Sequence, residues 1–469
     1  MPTRSHSKPA AGGCCLSEFS AAVLARTLVD HLGLTPHTPL HVAYSGGIDS
    51  HVLLHALAEA RRTEAWPLSA IHVDHGLNPK SAQWARHCIR VCAELAVPCR
   101  VERVVVSGVR QYGVEAAARR ARYDCFARCL NPNEVLMTAH HEDDQAETLL
   151  LQLLRGSGVR GLAAMPDLAK FGAGFLARPM LGFSRESLKR YADLHKLEWI
   201  EDASNADIRI GRNFLRQRVL PVLAQHWPRA SKGIARSARH AGGASEILDE
   251  IGRSDLQECA SVLPEELSIS ALVRLSPGRI DNVLRYWIRT RDLPVPSTAQ
   301  FRGILRQLRR PMPSKHARIS WPGAEVRLYR DRLSAERVDV LDKQRPENPN
   351  WYSSWDFRDP LYVPAARAWL HARTAVGTGL ARARTAGRSI EVRLRRGGEV
   401  CRLPRRPLRP LKKILQEEGI PPWERVRIPL VFIDGNLAAI GDRWVCEPYD
   451  AHGAEPAWVF ALEKRPETE

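Results

Sequence analysis

Between Pro39 and Ile200 the chain alternates short apolar runs with longer amphipathic stretches, and this rhythm limits the fold more than any other feature. Residues 40–44, 68–73, 101–106, 135–139 and 175–177 read as strands, each followed by a segment able to hold a helix. Strands separated by helices need crossovers, so the expected class is α/β, a doubly wound parallel sheet covered on both faces. Ligands in such sheets sit beyond the carboxyl ends of the strands. The residues just after each strand are therefore where chemistry is expected.

The chain has 469 residues, enough for about three domains at roughly 150 residues each. The α/β pattern fills 39–222, behind an N-terminal extension and first helix over 1–38. Past Pro221 the texture turns to Ala, Arg and Leu at helical spacing, with helices expected over 224–248 and 279–291 and strand-like runs near Ile319 and Val326. This makes 223–344 a mainly helical middle domain. A Pro- and Trp-containing stretch marks 345–387 as a connector, and 388–469 reads as a small mixed α/β domain with one helix.

Charge narrows the partner. Lys and Arg number 69 against 52 Asp and Glu, a net +17, and 58 of the 69 are Arg. Codon bias explains Arg over Lys, but not the excess of both over acids, so a polyanion such as nucleic acid is expected. Residues 388–429 hold 12 Lys or Arg against 5 Glu. No run approaches the roughly 20 apolar residues of a membrane span, and no secretory signal is expected at the N-terminus. The ten cysteines form no Cys-x-x-Cys pair, which fits a reducing cytoplasm.

The first strand leads directly into Ser45-Gly46-Gly47-Ile48-Asp49-Ser50 and a helix beginning near His51. Paired glycines let backbone N–H groups form a concavity, the serines add hydroxyls, and the helix N-terminus adds its positive end, so the turn suits a phosphate. It lacks the Gly-Lys-Ser/Thr of a Walker loop. A carboxylate at Asp49 beside phosphates makes sense with a cation between them. Strand two ends in Asp74-His75-Gly76, an adenosine contact at this position, although a plain turn has the same composition. Strand four runs into His140-His141-Glu142-Asp143-Asp144-Gln145-Ala146-Glu147. The helix dipole favours acids there in any protein, but so many in one turn exceed what capping needs. Asp143 and Asp144 join Asp49 as candidate magnesium ligands, and Glu147 is a candidate substrate or base residue. Zinc is the weaker alternative, because no His-x-x-x-His spacing is present.

The hexapeptide resembles the pyrophosphate loop of the ATP pyrophosphatases, which cleave ATP between the α- and β-phosphates to adenylate a substrate. Glu115 to Phe126, His140 to Thr148, Leu154 to Leu162, Arg178-Pro179-Met180-Leu181, Trp199 to Asn205, Arg212 to Arg216, Lys412-Lys413-Ile414 and Pro421-Pro422-Trp423-Glu424-Arg425 narrow the resemblance to the tRNA(Ile)-lysidine synthetases. The likeness is dense over 45–222, loose over 240–385, and does not reach the first 38 residues. Asn78 stands where relatives are expected to carry Arg or Ser.

The resemblance implies ATP and Mg2+, free L-lysine, and an isoleucine tRNA with a CAU anticodon whose wobble cytidine is adenylated and then joined to lysine. It assigns Ser45 to Ser50 to the pyrophosphate and Asp49 to the magnesium. By their match to the family, Arg212 and Arg216, one helical turn apart, are candidate catalytic cations. Glu147 and Asp202 are candidates for holding the lysine ammonium. Arg119, Arg122, Arg405, Arg406, Arg409, Lys412 and Lys413 are candidate tRNA contacts, set against the plain alternative of a solvated basic surface. A homodimer is compatible with this reading.

Three other readings compete. A tRNA base thiolase of the same superfamily would need a cysteine relay or cluster, usually with a Cys-x-x-Cys pair. A non-catalytic basic RNA-binding protein would have no use for Asp49 and the acids 142–147 beside a phosphate loop. GMP- or NAD-synthetase-like members would need ammonia delivery, not a basic C-terminal domain.

Overall fold

The computed structural model describes residues 18–202, 207–261, 265–309, 317–338, 348 and 350–464. The extension 1–17, part of the motif 199–205 and part of the stretch 345–349 lie outside the described residues. The chain divides into two compact units, Met1–Leu248 and Asp249–Glu469.

The first unit is built on a six-stranded sheet. Its strands are β1 (Leu40–Ala43), β2 (Leu68–Asp74), β3 (Cys99–Arg103), β4 (Val135–Met137), β5 (Leu168–Phe171) and β6 (Gly174–Ala177), in the order β3-β2-β1-β4-β6-β5. All neighbouring pairs are parallel except β5 with β6. Alternate strand residues go to different cores. Leu40, Val42, Ala70, Val135 and Met137 pack with Leu53, Val91 and Leu188 from the helices Ile48–Ala60, Ser81–Glu94 and Arg185–Leu194. Ile71, Val73 and Leu136 pack with Cys125 and Phe126 from the helix Val114–Cys129. Burial of both faces is why these strands read as continuous apolar runs.

Strand β1 lies between β2 and β4, so successive crossovers leave it in opposite directions. That is the switch point where a crevice opens in a doubly wound sheet. The first two segments to leave its rim are the glycine loop after β1 and the acidic turn after β4.

Several expectations are corrected. The edge strand β5 was not foreseen; it forms a hairpin with β6 and makes the sheet mixed at that edge. The third strand starts and ends earlier than 101–106. The helix expected over 224–248 is two helices, Leu220–His226 and Ala230–Glu258. Pro228 separates them, because the residue before a proline is driven out of helical conformation and Trp227 adopts φ −125°, ψ 85°.

In the second unit, the helices Pro277–Thr290 and Thr298–Leu308 pack on a four-stranded sheet containing Ala317–Trp321, Ala324–Tyr329 and Arg332–Arg337. The stretch expected as a connector carries strands. Ala368–Val376 pairs along its whole length with Pro456–Lys464, and Tyr352–Ser354 pairs with Ile390–Arg393. Pairing between segments some ninety residues apart leaves no local signature, and the Pro- and Trp-containing stretch suggested a linker. Among the described residues two short helices occur in the C-terminal part, Leu411–Glu417 and Pro422–Arg425, where one was expected.

Candidate active site

The loop after β1 is held by its own serines. The Ser45 and Ser50 hydroxyls lie 3.0 Å apart, Ser50 Oγ donates to the Gly47 carbonyl at 2.9 Å, and Gly47 N–H reaches Ser45 Oγ at 3.4 Å. Gly46 has φ +84°, a backbone conformation that calls for glycine, and a Cβ there would meet the end of the Ile200 side chain at 2.7 Å and Cys88 Sγ at 3.2 Å. Ile200 N–H donates to the Gly46 carbonyl at 2.9 Å, tying the loop to the chain before Asp202. Gly47 is the N-cap of the helix Ile48–Ala60 and no side chain caps it. Its first-turn N–H groups therefore lack intrahelical acceptors, as an anion-binding turn requires.

Across the crevice, His141 is the N-cap of the acidic helix Glu142–Leu154, and its N–H donates to Asp144 Oδ2 at 3.0 Å. The His141 ring is fully buried among three carboxylates: Asp144 at 3.4 Å, Asp143 at 3.7 Å and Asp49 at 3.8 Å. Asp49, on the loop helix, and Asp143, on the acidic helix, are thereby brought to one place. Asp49 Oδ1 is buried without a hydrogen-bond partner, and burial raises the Asp49 carboxyl above the ordinary carboxylate range against the pull of His141. A desolvated carboxylate with an unused oxygen fits a cation. Among the described residues no group of three or more His, Cys, Asp or Glu side chains is arranged to hold a metal alone. Magnesium bound largely through phosphate and water needs only one or two carboxylates.

Glu147 is fully buried and both its oxygens are taken by guanidiniums. Oε1 accepts from Arg216 Nε at 2.6 Å, and Oε2 accepts from Arg212 Nε at 2.7 Å and Arg216 Nη2 at 3.1 Å. Asp144 Oδ1 accepts from Arg212 Nη2 at 3.0 Å and Arg216 Nη2 at 2.8 Å. Burial alone would raise the Asp144 carboxyl, but His141, Arg212, His140 and Arg216 hold it down to about 2. The four side chains form a closed quartet of two acids and two arginines. Both oxygens of Glu147, expected as an ammonium ligand or base, are engaged by Arg212 and Arg216.

Asp74 Oδ1 accepts from the Gly76 N–H at 2.9 Å, and Gly76 has φ +62°. This turn carries His75, whose Nδ1 is buried without a partner and whose pKa is lowered by burial and by Arg122. Asp202 acts on the same imidazole, so it belongs to this end of the crevice. Arg122 is itself pushed down by burial and by Arg119, which lies over the Tyr123 ring at 4.7 Å.

A cavity of about 470 Å³ adjoins the acidic helix, lined among others by Glu142, Asp143, Glu147, Arg216, Arg229 and Lys232. His141, Glu142 and the cations 229 and 232 were not singled out in the sequence. His141 stood in the acidic run without a spacing that marked it, and Arg229 and Lys232 were hidden among 69 lysines and arginines.

In the second unit the basic segment is partly neutralised. Arg406 pairs with Glu418 at 3.1 Å and Arg409 with Glu417 at 3.0 Å, while the Arg405 N–H donates to Glu447. Lys412 and Lys413 are exposed and make no ion pair among the described residues. The motif 421–425 packs inward. Arg425 is buried, donating to the Ile420 carbonyl at 2.7 Å and to the Tyr329 hydroxyl at 3.0 Å, and Trp423 meets the Tyr329 ring edge-on.

Three family models match, in chain order: a PP-loop domain over residues 20–223, a TilS substrate binding domain over 267–334 and a TilS substrate C-terminal domain over 390–462. Among curated relatives, the tRNA(Ile)-lysidine synthase of Coxiella burnetii is 40% identical over 91% of this chain and 93% of its own. That of Alkalilimnicola ehrlichii is 41% identical over 91% and 98%. Among solved structures, a U34-tRNA thiolase of Methanococcus maripaludis aligns with a TM-score of 0.38 at 15% identity, over 46% of this chain and 76% of that one, and adds no weight to the thiolase reading. With the three blocks in order and two-fifths of the residues shared along nine-tenths of its length, the chain belongs to the tRNA(Ile)-lysidine synthase family.

Proposed function

We propose that the chain adenylates the wobble cytidine of a CAU-anticodon isoleucine tRNA and joins free L-lysine to it, releasing pyrophosphate and AMP. The observation that carries this reading is the loop 45–50 facing the Asp144–Glu147–Arg212–Arg216 quartet across one crevice, linked through His141 and Asp49. The loop and the uncapped helix behind it take the phosphates of ATP, with Asp74, His75 and Gly76 on the adenosine side. Asp49 and Asp143 would hold Mg2+, which supplies charge neutralisation at the phosphates when bound. Asp144, with both oxygens engaged, serves as the cap of its helix and the anchor of the arginines.

The cytosine O2 attacks the α-phosphorus and the bond to the β-phosphate oxygen breaks. A neutral lysine amine then attacks C2 and AMP departs. Arg212 and Arg216, locked in place before substrate arrives, stabilise negative charge on the transferring phosphate without reorganising. Free lysine is placed in the 470 Å³ cavity, where Glu142 offers a carboxylate to its ammonium in place of Glu147. Arg119, Arg122, Lys412 and Lys413 face the tRNA backbone, with Arg405, Arg406 and Arg409 in support. Among the described residues no helix is long and apolar enough to cross a membrane, and we place the enzyme in the cytoplasm with its tRNA.

Incubation with ATP, magnesium, labelled lysine and the CAU-anticodon isoleucine tRNA should incorporate label and release AMP. No incorporation, or equal incorporation into a methionine tRNA, would overturn the reading. Asp49→Ala should abolish adenylation while tRNA affinity stays within a few-fold of the original.

A further inference from the structure

Residues 211–245 contain seven Lys or Arg and no Asp or Glu. Arg212 and Arg216 are neutralised in the quartet. The other five, Arg218, Arg229, Lys232, Arg236 and Arg239, are exposed and make no ion pair among the described residues. In the middle of this stretch Pro228 breaks the helix and leaves Trp227 with 63% of its surface exposed. The Trp227 backbone is nevertheless fixed, its N–H donating to the Leu223 carbonyl at 2.8 Å and its carbonyl accepting from Ala230 N–H at 2.9 Å.

Beside the break lies a cavity of about 660 Å³, lined by Leu223, His226, Trp227, Pro228, Arg229 and Ile234 among others. Its neighbour is the 470 Å³ cavity on the acidic helix, and the two share Pro228 and Arg229 as a wall. An apolar, aromatic hollow set in a field of unpaired cations is complementary to single-stranded RNA, whose bases stack on aromatic rings while cations neutralise the phosphates. A base that enters a reaction site must leave its own stack, which exposes the face of the next base along the strand.

We propose that the Trp227 cavity is a second nucleobase subsite. It receives an unpaired base adjacent in the RNA to the reacting cytidine, stacked on the Trp227 indole, with Arg229 and Lys232 at the flanking phosphates. The subsite rests on the RNA-ligase reading above and adds to it the place where the strand is gripped next to the chemistry.

The test uses the full-length protein and an anticodon stem-loop carrying 5-bromouridine immediately 5′ or 3′ of the reacting cytidine. Irradiation should crosslink one of the two probes to the peptide containing Trp227. Without ATP or lysine, Trp227→Ala should weaken stem-loop affinity about 10-fold, the scale of one lost base stack, while Trp227→Phe stays within about 3-fold and ATP affinity is unchanged in both. Crosslinks confined to other peptides, or stem-loop affinity of Trp227→Ala equal to wild type, would overturn the subsite. So would a Trp227→Ala variant that loses a homodimer yet binds RNA normally, since the cavity would then belong to a second copy. Wild-type protein that crosslinks through Trp227 but joins no lysine would count against the ligase reading and leave the subsite standing.

Discussion

Replacing Glu147 with Gln changes one atom and removes one charge from the quartet. In the native arrangement two carboxylates face two guanidiniums; the substitution leaves Asp144 alone against both. At an effective dielectric of about 20, a pair of unit charges near 4 Å apart is worth about 4 kcal/mol. Two such attractions weaken, and the desolvation of one buried carboxylate is relieved in return. Removing one partner of a buried pair usually costs about 3–5 kcal/mol. The lower figure applies here, because the Arg212 and Arg216 side chains keep 26% and 27% of their surface in solvent. Glu147→Gln is therefore expected to lower the unfolding free energy of the α/β unit by about 3 kcal/mol, read by urea titration. In ATP-dependent pyrophosphate release it should lower kcat at least 10-fold with little change in the KM for lysine, because the arginines lose their positions. A variant as stable as wild type within about 0.5 kcal/mol, with only the KM for lysine raised, would refute the quartet and restore Glu147 as the ammonium ligand.

Three further outcomes follow from the geometry. Gly46→Ala forces a side chain into a φ of +84° and within 2.7 Å of Ile200; thermal unfolding should report a loss of about 2 kcal/mol, and calorimetric titration should show weakened ATP binding. Lys412→Ala and Lys413→Ala should each flatten the dependence of log K for tRNA on log salt by about 0.7 to 0.9, with a smaller change for Arg406→Ala because Glu418 already neutralises it. His55 lies 3.0 Å from the Tyr191 hydroxyl, and burial and His195 hold its pKa below the unfolded value of 6.5. The unfolded chain then binds the extra proton, so stability is complete above pH 6.5 and declines as pH falls through the lower folded value; His55→Gln should make denaturant midpoints less pH-dependent as pH falls below 6.5.

The glycine loop was legible because its chemistry is contiguous: six adjacent residues supply the turn, the hydroxyls and the helix start. The acidic turn after β4 was legible for the same reason, and burial of both sheet faces wrote the parallel strands as apolar runs. The β5–β6 hairpin escaped because Leu168–Phe171 is a short edge strand with incomplete burial. The C-terminal sheets escaped because their partners are joined across long stretches of chain.

The sequence by itself determined the α/β class, the phosphate loop and the kinship, since each rests on local periodicity or on adjacent residues. Tertiary structure alone decided which groups Glu147 touches. Its partners Arg212 and Arg216 lie 65 and 69 residues away, and only the folded chain closes that distance and removes the water that would otherwise screen the charges. The same holds for Trp227, which in the sequence is one aromatic before a proline and in the fold is an exposed ring at the wall of a cavity.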